Sequence, residues 1–213
     1  MDLTAIRAII KVPDSKMVPL PGLFLHQSNL HGQAHVTRVL IHALRLIEAT
    51  GFIEETPRLW AAVYLHDIAR KHDGTCSIHG KNAWLRLVSL PEVQALFRQG
   101  GVGDEDYGAI EYAVTIHSSG DPSLSDPYYR LGTLLKDADG LDRVRLGDLN
   151  PKMLRHDQAR SMVGFAQALF DETDWKLKTG PNYFGRLWPE VIRLLTPTRA
   201  SAPHGRLQWP SRP

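Results

Sequence analysis

The sequence predicts an all-α protein, a single-domain helical bundle, on three observations. Apolar residues recur at steps of three and four along most of the 213 residues, the spacing of one helix face. Helix punctuation falls where those periods begin and end. No Val, Ile or Thr run alternates with polar residues at the period of two that a half-buried strand requires.

The first long helix follows from Val36, Val39, Leu40, Ala43, Leu44 and Ile47, with Gly51 where a C-terminal cap belongs. Thr56-Pro57 opens the next, a capping threonine followed by a proline at the first helical position. That period continues through Leu59, Ala62, Val63, His66 and Ala69. Further helices are expected over 81–88 and over 91–99, where Pro91 starts the turn. Tyr107, Ile110, Ala113, Val114 and His117 share a face and predict a helix over 105–117. Residues 127–146 read as helical with a break at Gly140, and helices over 157–171 and 185–195 complete the bundle.

Two flanks differ in composition. Residues 1–30 form a lead-in, helical at first and irregular over 12–30, where three prolines and Gly22 fall. Residues 196–213 hold four prolines and few aliphatics and read as a flexible tail. The helical domain proper is expected over 31–195.

Composition bounds the function. A hydrophobic fraction of 43% and a charged fraction of 23% describe an ordinary globular chain, long enough to need no structural staple. A net charge of +2, without a Lys/Arg run, argues against a partner as highly charged as duplex nucleic acid. No apolar run approaches the roughly 18 residues of a membrane span, and the N-terminus does not read as a signal peptide. The single cysteine, Cys76, excludes an internal disulfide and suits a reducing, cytoplasmic setting.

Chemistry-bearing residues fall in three places. His-Asp occurs three times, at 66–67, 72–73 and 156–157, so the dipeptide alone carries little. Only His66-Asp67 follows an apolar helix, LWAAVYL, where adjacent ionisable groups are costly unless paired or metal-bound. Upstream, HGQAH sets His31 and His35 at i and i+4 on one helix face, either a two-histidine metal clamp or one ligand with a neighbour, with Arg38 three residues beyond His35. Downstream, LLKDADGLDRVRL brings Asp137, Asp139 and Asp142 after an apolar face. These are oxygen donors for a divalent cation, or solvated acids with an Asp139–Arg143 surface pair. His79 and His117 each end an apolar or small-residue stretch.

Taken in order, HVTRVL, LHDIAR and DADGLDRV resemble the three motifs of the HD-domain superfamily of metal-dependent phosphohydrolases, over about residues 31–146. The resemblance implies that His35, His66, Asp67 and Asp139 bind metal. Asp139 is chosen over Asp137 because the family's aspartate precedes another acid by three residues, as Asp139 precedes Asp142. It also implies hydrolysis of a small phosphate ester or anhydride, a nucleotide first among them, by a metal-activated water. A nitrogen-and-oxygen donor set suits Mn²⁺, Fe²⁺, Co²⁺, Ni²⁺ or Zn²⁺, and Mg²⁺ is accommodated. Arg70, three residues after Asp67, is the expected grip on a phosphate oxygen, with Arg38 and Lys71 as further substrate contacts. Asp73 is a candidate proton acceptor, and Asp142 is expected to orient a ligand or an arginine. Some members hold a second metal through extra histidines. His79 and His117 are candidates for that role, although a single metal, with these two contacting phosphate or protonating the leaving oxygen, is the preferred arrangement. Two alternatives are a di-iron oxygenase on the same scaffold, which needs about six ligands, and a signalling or binding module without catalysis.

Overall fold

The computed structural model describes residues 1–173 and 178–196, and within them the chain is helical with no strand. The helices are α1 (Leu3–Ile9), α2 (Gln33–Thr50), α3 (Thr56–Leu65), α4 (His79–Leu87), α5 (Pro91–Gln99), α6 (Tyr107–His117) and α7 (Tyr129–Leu141). After a 3₁₀ turn at Asp142–Leu146 come α8 (Asp157–Ser161), α9 (Val163–Thr173) and α10 (Tyr183–Leu195).

At the centre lies α2, which buries residues on every side, among them Val36, Val39, Leu40, Ile41, Leu44, Leu46 and Ile47. A helix apolar all round must be enclosed, and α1, α3, α7, α8, α9 and α10 pack around it. In turn α6 packs on α3 and α7, and α4 lies over α6. Gly51 ends α2 in the left-handed region at φ 76°, its N–H donating to the Ile47 carbonyl at 2.9 Å. That is the C-terminal cap the sequence predicts.

The lead-in is irregular but packed. Leu3, Ile6, Ile10, Met17 and Val18 are buried, and Trp60 of α3 donates its indole N–H to the Met17 carbonyl at 2.8 Å. Of the expected tail, all but Thr196 lies outside the described residues.

Several helix boundaries depart from expectation, and the helix expected over 157–171 is broken at Met162 into α8 and α9. Glu55 is the N-cap of α3, and Thr56 instead turns its hydroxyl back to the Ile53 carbonyl at 2.7 Å. At its other end α3 stops at Leu65, and residues 66–69 form a tighter turn. The cause is local: His66 Nδ1 takes the Val63 carbonyl at 2.7 Å, the acceptor that residue 67 would need to continue the helix. Helix α7 runs through Gly140 without a break and gives way to the 3₁₀ turn at Asp142.

Candidate metal centre

Four histidines from four helices or helix ends meet at one place, and each is held by its own Nδ1. His66 Nδ1 bonds the Val63 carbonyl, His79 Nδ1 the Cys76 carbonyl at 2.6 Å, and His117 Nδ1 the Val114 carbonyl at 2.5 Å. Each carbonyl belongs to the residue three earlier. A carbonyl only accepts, so these rings carry their proton on Nδ1. His35 Nδ1 lies 2.7 Å from Asp142 Oδ2, where the carboxylate fixes the same tautomer. All four Nε2 atoms therefore face inward.

They do so in two pairs. His35 Nε2 is 3.2 Å from His66 Nε2, and His79 Nε2 is 2.9 Å from His117 Nε2. Asp139 Oδ1 lies 3.3 Å from His35 Nε2 and joins the first pair. The Asp67 carboxylate spans both, with Oδ2 3.4 Å from His35 Nε2 and Oδ1 3.1 Å from His79 Nε2. His35, His66 and Asp139 form one group able to hold a cation, and Asp67, His79 and His117 form a second. Within each group the donor atoms lie within 4.8 Å of one another.

The protonation pattern matches this pairing. Burial and the nearby Arg145 oppose charge on His35, yet Asp139, Asp142 and Asp67 raise its pKa to about 9, while burial lowers that of its partner His66. In the second pair burial again opposes charge, but Asp67 raises His79. Burial together with the His66 and His79 rings pushes His117 down to about 3. In each pair one imidazole is pushed up and its partner down. Burial resists ionisation of Asp67 and Asp139 too, but the surrounding histidines hold both well below the usual carboxylate range. Inward-facing imidazole nitrogens beside ionised carboxylates suit a divalent transition metal, which would displace the protons of the raised rings. The residues present therefore fit the expected group.

Supporting contacts extend outward. Asp142, fully buried, accepts from Arg38 Nε at 2.5 Å and Nη2 at 3.1 Å, and lies 3.3 Å from Arg145 Nη1. Arg70 Nε donates to Asp67 Oδ1 at 2.8 Å, and its Nη1 reaches the Gly74 carbonyl at 3.1 Å. Asp67, His79, His117 and Asp139 face a cleft of about 330 Å³ whose walls include His31, Arg70, Asp73, Cys76, Arg143 and Arg145.

Arg38 does not reach that cleft. Its side chain is only 2% exposed, is committed to Asp142, and lies at a different cavity. Lys71 is exposed and stands outside the cleft. The guanidiniums that line the cleft are instead Arg70, Arg143 and Arg145; DRVRL signals the last two by placing them straight after the aspartates. His31 does not join His35 as a two-histidine clamp. Its Nδ1 pairs with Asp73 Oδ1 at 3.0 Å, and His26 Nε2 lies 3.3 Å from Asp73 Oδ2. His117 commits Nδ1 to the Val114 carbonyl, and burial with the His66 and His79 rings holds its pKa low. The surface alternative for Asp139 is also absent, because Arg143 pairs with Asp148. Asp137 is buried and turned away: it takes the backbone N–H groups of Arg155 and His156 at 2.9 and 2.7 Å and pins that loop to α7.

No family model, curated protein or solved structure matches the chain. Among the described residues no helix is long and apolar enough to cross a membrane.

Proposed function

We propose that this protein is a metal-dependent phosphohydrolase of the HD-domain type, acting on a small organic phosphate, with nucleotides the first class to test. The observation that carries the reading is the convergence of six donors, from His35, His66, Asp67, Asp139, His79 and His117, of which Asp67, Asp139, His79 and His117 face a cleft lined by three arginines. Two clusters linked by Asp67 favour two cations over one, with His79 and His117 as ligands rather than proton donors.

Divalent ions bound there would acidify a water and neutralise phosphoryl charge. The chain's own residues supply the rest. Asp142 and the carbonyls of Val63, Cys76 and Val114 fix the four imidazoles in the tautomer that presents a lone pair. Arg70 holds Asp67 in its spanning position. Arg143, half exposed at the rim, is the guanidinium free to turn from Asp148 to a phosphate oxygen. Asp73 anchors His31 through Nδ1, leaving Nε2 as the site where a proton is held or passed at the cleft wall.

Stripping the chain of metal, reloading it separately with Mn²⁺, Co²⁺, Ni²⁺, Zn²⁺ or Mg²⁺, and following phosphate and pyrophosphate release from a nucleotide panel tests the reading. His66→Ala and Asp139→Ala should each abolish release, by at least about 10³-fold, while helical circular dichroism persists. Turnover at the parental rate in both variants would refute it.

The same six ligands give specific support to a second reading, a di-iron oxygenase. The arginine rim favours an anionic phosphate over it. Oxygen consumption by the iron-loaded chain, without phosphate release, would reverse that preference.

A further inference from the structure

Helix α6 closes on a side chain from another helix. Its last residue is His117, a member of the second ligand group, and its cap, Ser118, is right-handed, with no left-handed glycine such as ends α2. The last carbonyls of a helix have no partner within it and need donors from elsewhere. Lys136 of α7 supplies them. Its Nζ donates to the carbonyls of Ile116 at 3.2 Å, His117 at 3.1 Å and Gly120 at 3.0 Å. We propose that Lys136 is a positioning residue for the second cation, holding the backbone of His117 where its Nε2 meets Asp67 and His79. This role rests on the two-metal arrangement proposed above.

The whole donor capacity of the ammonium is spent at this one place. It has three protons and no acceptor, and three carbonyls converge on it. The side chain is 10% exposed. Asp121, its one ion-pair partner among the described residues, lies at 4.0 Å and is itself held by Arg155. Burying an ammonium and fixing its four-carbon stem is costly. An exposed helix end needs neither, because water satisfies its carbonyls. The cost has a purpose where the capped residue must not move.

His117 is tied twice, and the two ties do different things. The bond from Nδ1 to the Val114 carbonyl, one turn back, sets the direction of the ring relative to α6. It cannot set where the end of α6 lies relative to the other ligands. Lys136 does, because it stands three residues before Asp139 on the same edge of α7. A single turn of α7 thus presents a carboxylate to the first ligand group, 3.3 Å from His35 Nε2, and an ammonium to the backbone of a ligand in the second. The placement of the two groups is coupled through that turn.

Titration of the metal-free full chain with Mn²⁺, followed by electron paramagnetic resonance, tests the role. The parent should bind two ions whose spectrum shows magnetic coupling across the Asp67 carboxylate. Lys136→Met, similar in length but without donors, should bind the first ion within twofold of the parent. It should bind the second at least tenfold more weakly, with the spectrum of an isolated ion. Lys136→Gln, a milder change that keeps an N–H₂ group for the carbonyls, should weaken the second ion at least threefold. Trp60→Phe breaks the bond to the Met17 carbonyl away from the centre, and should lower thermal stability while keeping both ions coupled. A second ion held within twofold of the parent in either lysine variant would overturn the proposal, as would equal weakening of both ions or loss of the second ion in Trp60→Phe. Fewer than two ions in the parent would also overturn it, while leaving a one-metal hydrolase standing. Two coupled ions without phosphate release would end the hydrolytic reading and leave the role of Lys136 intact.

Discussion

His42 sits two turns along α2 from His35, fully buried, edge-on to Phe165, and neither ring nitrogen finds a hydrogen-bond partner among the described residues. Burial lowers its pKa to about 4, with Arg38 and Arg45 adding to the shift. The folded chain thus binds that proton less readily than the unfolded chain, whose histidine titrates near 6.5. The sign follows: stability is intact above 6.5 and falls as the pH drops towards 4, because the unfolded state takes up the proton first. Between pH 7 and 5 this one group accounts for about 2 kcal/mol. His42→Leu removes both the unsatisfied nitrogens and the titration. Urea unfolding should show the variant at least as stable as the parent at pH 7, and about 2 kcal/mol less sensitive to the change to pH 5. Equal acid sensitivity in the two proteins would show that His42 has a partner or a proton in the folded state. None of this burial was legible in the sequence, where His42 lies between Ile41 and Ala43 and reads as one more histidine on a helix.

At the level of elements, the site depends on how helices end. His66 and His117 close α3 and α6, and His79 opens α4, each spending Nδ1 on a carbonyl three residues back. Periodicity made the helices themselves legible, and the costly His66-Asp67 pair after an apolar run marked one corner of the site. Capture of the Val63 carbonyl by a side chain leaves no trace in apolar spacing, so the period runs on to Ala69, four residues past the end of α3. His79 and His117 are 38 positions apart, and only the packing of α4 on α6 brings them together. That packing depends on Gly80. A Cβ there would come within 1.9 Å of the Val114 carbonyl and 2.9 Å of the His117 ring. Backbone cannot yield to that contact without the helices separating, which would part the second histidine pair while leaving α2 and α3 in place. On the two-metal reading proposed above, Gly80→Ala should therefore lower bound metal from two ions per chain towards one, measured by elemental analysis after reloading, with some loss of thermal stability. Two retained ions at full occupancy would show that α4 does not position a ligand.

Over the whole molecule, the centre couples stability, pH and metal. Without metal, His35 is raised to about 9, so the stability it contributes is complete below pH 6.5 and is lost as the pH climbs through 9. Asp67, Asp139 and Asp142 are depressed, Asp142 by Arg38 and His35 acting against burial. Their contribution is present above the ordinary carboxylate range and is lost in acid. A cation at the first cluster must expel the His35 proton anywhere below pH 9. Its apparent affinity should therefore rise about tenfold per pH unit from 6.5 to 8.5, about 2.7 kcal/mol over the interval. Binding to the folded state alone converts that affinity into stability. For a chain of this size the increment corresponds to about 5–10 °C in Tm. The difference in Tm between saturating Mn²⁺ and EDTA should accordingly be larger at pH 8.5 than at pH 6.5 by about that amount. His35→Ala should flatten the dependence, because the displaced proton is gone with the ring. A metal-induced shift that is equal at the two pH values in the parent chain would mean that no proton leaves on binding, and His35 would then not be a ligand.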